Sequence, residues 1–67
     1  MTENQILNHI AIREIEKDDL RKLERHVEDL SQSIGLSEST KSEIKVKISS
    51  RTAFLDRSIK DHEKLLA

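Results

Sequence analysis

Three histidines, an arginine set within an apolar stripe and three closely spaced lysines are the side chains of this 67-residue chain with the most chemistry to offer. His9 and His62 lie near opposite ends of the chain. A fold that brought them together would make a proton switch, because both rings charge below about pH 6 and would then repel. A metal site is the sharper version of that idea, and its companions are missing. No Glu-x-x-His or His-x-x-x-His spacing occurs, there is no Cys, and His26 stands far from both. The expectation is a plain histidine pair, with no metal and no other cofactor.

Arg51 has two readings. It could read a phosphate or a partner's acid, or it could pair with Glu16 or Asp19 while its aliphatic stem covers the apolar stripe. The ion pair is the simpler. Lys41, Lys45 and Lys47 are the candidate nucleic-acid contacts, and a two-fold dimer would gather them from two chains. Yet the basic residues after Thr40 scatter around most faces of a helix, interleaved with Glu43, Asp56, Asp61 and Glu63. Reading a duplex wants them on one face.

Catalysis finds no support. The eight serines gather at helix ends and on polar faces, where they act as caps and surface residues. There is no Gly-rich loop to cradle phosphate. Asp18-Asp19 and Glu28-Asp29 are neighbours on a helix and diverge, so they do not converge on a substrate.

The elements that must position these groups are helical. Thr2 and Gln5 have capping-box spacing, with Met1 and Ile6 at the staple positions, so a first helix is expected over about residues 3–34. Gly35 is the one glycine and suits the left-handed residue that ends a helix. Ser37, or Thr40 with Glu43, caps a second helix over about residues 39–65. Such a short connection makes the two helices antiparallel neighbours. The whole chain, residues 1–67, then forms a single all-α helical-hairpin domain.

Leu20, Leu23, Val27, Leu30 and Ile34 are spaced 3, 4, 3, 4, which is a two-in-seven seam. The hairpin seam is read as Leu20, Leu23, Val27 and Leu30 against Ile44, Ile48, Leu55 and Ile59. Folding about Gly35 pairs Val27 with Ile44, Leu23 with Ile48, Leu20 with Arg51 or Thr52, Ile12 with Ile59 and His9 with His62. The segment from Ile6 to Ile15 is apolar nearly all round, which is normal only for a helix buried all round. Its phase breaks across Glu16–Asp19. A continuous helix is favoured there, with a break capped by Asp18 or Asp19 as the alternative. Ile44-Lys45-Val46-Lys47-Ile48 alternates as a strand would, but it sits between a helix cap and a helical pattern.

Composition turns this architecture toward association. Apolar residues make up 34% of the chain, with one aromatic, Phe54. Two helices bury only one side each, and without disulfides or metals a chain this small turns to oligomerisation. Two copies would most simply form a dimeric four-helix bundle. Ile6, Leu7, Ile10, Ile15, Val46 and Phe54 are expected at the contact between chains. Net charge is −1, so nothing steers the chain toward nucleic acid or anionic membrane. No apolar run is long enough to span a membrane and no signal peptide is visible, so a cytoplasmic location is the default.

The stretch Thr52-Ala53-Phe54-Leu55-Asp56-Arg57-Ser58-Ile59 resembles the Ser-x-x-Leu-Asp-x-x-Ile motif of the sporulation aspartyl-phosphate phosphatases. Thr52 stands in place of Ser, and the first helix and the connection depart from that family, so no residue role is carried over. The plasmid copy-number proteins and the small type III secretion co-chaperones are similar in their hairpin plan alone. No residue constellation names a substrate or partner, and the expectation is a non-catalytic protein–protein interaction module, a small regulatory or adaptor protein such as phage, plasmid or other accessory loci carry. It would bind itself or a partner's helix. The alternative is a dimeric nucleic-acid-binding regulator that uses the second helix.

Overall fold

A computed structural model describes all residues 1–67 as two antiparallel helices and no strand. Helix α1 runs Glu3–Ile34 and α2 runs Glu38–Leu66. Thr2 accepts from the Gln5 backbone N–H at 3.2 Å, and the Gln5 side chain accepts from the Thr2 N–H at 2.8 Å, which closes the expected capping box. Glu3 in the first turn complements the positive end of the helix dipole.

Gly35 ends α1 at φ 66°, ψ 51°. Only glycine takes that left-handed conformation freely. Of the two candidate caps for α2, Ser37 is the one used, with its hydroxyl accepting from the Thr40 N–H at 3.2 Å. The helix therefore begins at Glu38, one residue before the expected start. Helix α1 passes through Glu16–Asp19 unbroken, and Ile44–Ile48 is helical. No Gly or Pro lies in either stretch to override helix-forming neighbours.

The hairpin is a rod of 48 × 16 × 13 Å. Its core is a thin line of five buried side chains, Ile6, Val27, Ile48, Leu55 and Ile59, with Leu55 only 1% exposed. Thr52 also faces the seam, and its hydroxyl is satisfied by donating to the Ile48 carbonyl at 2.9 Å. Pairs crossing the hairpin follow one register: His9 with His62, Arg13 with Ser58, Glu16 with Arg51 and Glu28 with Lys41. Neither helix is long and apolar enough to cross a membrane.

Candidate interaction surfaces

The two long edges of this two-helix layer differ in chemistry. Along one edge Lys17 reaches Asp56 at 2.5 Å, and Glu28 holds both Lys41, at 2.9 Å, and Lys45. Arg21, Glu24, Arg25 and Glu28 line a shallow, wholly charged depression beside it. These hydrogen-bonded pairs favour the charged forms. Lys45 and Lys41 hold the Glu28 carboxyl below its usual range, Lys17 does the same to Asp56, and both Lys17 and Lys41 are raised by their acids.

The opposite edge is built from two heptad series, Glu16, Leu23, Leu30 on α1 and Ile44, Arg51, Ser58, Leu65 on α2. Glu16 accepts two hydrogen bonds from Arg51, Nε to Oε2 at 2.5 Å and Nη2 to Oε1 at 3.0 Å. The guanidinium stacks over the Phe54 ring at 4.9 Å from its centroid. The Arg51 hydrogen bond depresses the Glu16 carboxyl, and Arg51 is raised in return. Toward the turn, Leu20, Leu23, Ile44, Ile48 and the stem of Lys47 line an open apolar groove of about 280 Å³. Leu23 and Phe54 are about half exposed beside it.

The residues expected at a contact between chains do not share a surface. Ile6 is buried within the hairpin, 5% exposed, and Ile10 is half-buried beside it. Both belong to the seam, which corrects their assignment to an outer contact. Ile15 is 62% exposed on the back of α1, and Val46 is 64% exposed on the back of α2. Leu7 is about half exposed and, at about 100° per residue, falls on the charged edge. Phe54 alone of the six lies along the groove edge. An all-round apolar segment gives a helical wheel no way to rank its faces, and Ile6–Ile15 is such a segment.

Of the residues read as seam, Val27, Ile48, Leu55 and Ile59 are buried, while Leu20, Leu30 and Ile44 are partly so. Leu23 opens onto the groove. Ile12 is 53% exposed, and the polar contact that crosses the hairpin at this level is Arg13 Nε donating to Ser58 Oγ at 2.6 Å. Leu20 lines the groove with Ile44 and Ile48, and of its two expected partners Arg51 turns outward to Glu16 while Thr52 faces the seam.

His9 and His62 do meet, with ring centroids 5.3 Å apart. His62 Nδ1 lies 2.7 Å from the Ser58 carbonyl, so that nitrogen carries a proton and donates. Arg13 Nη1 lies 3.4 Å from His9 Nδ1 and donates to the His9 carbonyl at 3.0 Å. No third His, Cys, Asp or Glu joins the pair to make a metal-binding group. Among the candidate nucleic-acid contacts, Lys41 and Lys45 are both engaged by Glu28, and Lys47 stands 3.7 Å from Glu43.

No protein-family model matches this chain, and no curated protein or solved structure matches it.

Proposed function

We propose that this chain is a non-catalytic protein–protein interaction module, a small regulatory or adaptor protein that works by self-association or by taking up a partner's helix. One observation carries the reading. Ten large apolar side chains are exposed and only five residues are buried. Those scattered singly, such as Ile15 and Val46, are ordinary on a monomer, whereas Leu23 and Phe54 share one edge with a contiguous apolar groove, and such a patch marks an interface. The groove along Leu20, Leu23, Ile44 and Ile48 is walled by two helices, which is the shape that accepts another helix.

Sedimentation across a concentration series tests the reading. The expected result is a mass above that of one chain at micromolar concentration, or a rise in helicity and mass when a binding helix is added. A chain that stays cooperatively folded and solitary at every concentration, and takes up no helix, would overturn it.

A further inference from the structure

We infer that the groove edge is the docking surface for a second copy of this chain, and that the two hairpins stack with their turns at the same end, α1 of each over α2 of the other. The inference rests on the interaction reading above and names its partner and its face.

The rod exposes more surface than a compact monomer of its mass. The accessible surface is 5130 Å², whereas a compact 7.8 kDa monomer is expected to show roughly 4400 Å². The excess, roughly 700 Å², is close to the about 800 Å² that each partner gives to a standard interface. One face of the rod is therefore surplus to a monomer, and covering it with a second copy brings each chain to ordinary compactness. The edge carrying Leu23, Leu30, Ile44 and Phe54 is the apolar one. The other is occupied by Lys17–Asp56 and by Glu28 with its two lysines.

Charge then selects the partner and its orientation. Residues 1–37 carry 5 basic and 8 acidic side chains, net −3, and residues 38–67 carry 7 and 5, net +2. Two copies thus present opposite signs to each other when α1 lies over α2. The arrangement is specific near mid-rod. Asp19 makes no ion pair within its own chain, and the only one Lys47 makes is the long contact to Glu43. At about 100° per residue, Asp19 follows Glu16 on the outer rim of the groove edge, and Lys47 precedes Arg51 on the facing rim. With the turns together, Asp19 of one copy comes to the level of Arg51 and Lys47 of the other. With the turns at opposite ends, mid-rod Asp19 would face its own copy, and so would Arg51. Like charges in register disfavour that packing.

Single cysteines test both face and orientation in a chain that has none of its own. Nitroxide labels on Ser33→Cys, an exposed site near the turn, should report a separation of roughly 15–25 Å, the width of a helical bundle. Turns at opposite ends would place them about 40 Å apart and overturn the orientation. Thiol labelling of Leu23→Cys should slow at least fivefold as concentration rises, while Val46→Cys labels at one rate throughout. The reverse pattern, with association intact, would overturn the face and leave the self-association reading standing. A wild-type chain that remains a monomer would overturn the docking of a second copy, while uptake of an added helix would keep the interaction reading standing. As a further check on charge, Asp19→Lys should weaken the dimer, and adding Lys47→Asp should restore it. A lack of restoration counts against the stacking described.

Discussion

Arg51 grips Glu16 across the hairpin with two hydrogen bonds and at the same time covers the Phe54 ring. The short turn already brings these two levels of α1 and α2 together, and the planar guanidinium fork then meets the carboxylate with two parallel hydrogen bonds. Both groups are solvent-exposed, so the pair contributes little to stability. Arg51→Lys keeps the charge and removes the fork. It should lower the urea midpoint by less than any core truncation. Measured with Glu16→Gln in a double-mutant cycle, it should couple detectably to that change. Strict additivity would show that the fork contributes nothing.

Leu55 is the most buried side chain in a core of five residues. Truncating it to Ala removes about 2–5 kcal/mol, a large share of what so small a core supplies. The variant should lose most of its cooperative thermal transition by circular dichroism at low concentration. Ile15→Ala, on the exposed back of α1, should leave that transition nearly unchanged.

Gly35 at φ 66° has open space where a Cβ would go. The cost of Gly35→Ala is thus backbone strain alone, about 1–2 kcal/mol. Gly35→Asn should cost less, since Asn tolerates the left-handed region. Chemical denaturation of the three proteins orders them Gly, Asn, Ala. Equal midpoints would show that the turn relaxes to another conformation.

The interhelix ion pairs predict a plateau in stability with acid and alkaline limits. Glu16, Glu28 and Asp56 have folded-state values lowered from 4.5, 4.5 and 3.8. Their contribution is complete above the ordinary carboxylate range and is lost as pH falls through the lowered values. Lys17 and Lys41 are raised from 10.5, so theirs is complete below that value and is lost as pH climbs past it. Denaturant midpoints should therefore hold level from about pH 5 to about pH 10 and decline on either side. A decline that begins at neutral pH would contradict this.

Local rules carried most of the fold. Thr2 with Gln5, Gly35 and Ser37 each act within four residues, and their effects are visible without knowing what lies across the hairpin. The short turn then fixes register, so the meeting of His9 with His62 and of Arg51 with Glu16 was also legible. The outer surfaces were not. Ile6, Leu7, Ile10, Ile12 and Ile15 are alike in chemistry and surround their helix. Only the direction of the neighbouring helix separates the buried Ile6 from the exposed Ile15. The difference between the rod's two edges depends on which long side chains reach across, as Lys17 does to Asp56, and that is a property of both helices together.

The brevity of the link at Gly35–Ser37 also sets the order in which contacts are made. Residues beside it meet after closing only a small loop, while His9 and His62 must find each other across most of the chain. Loop-closure entropy alone predicts that closure spreads outward from the tether like a zip and that opening begins at the free ends. Amide exchange should quicken from Val27 and Ile44 toward Ile6 and Leu66, leaving the chain's termini as the part a bound neighbour would steady most.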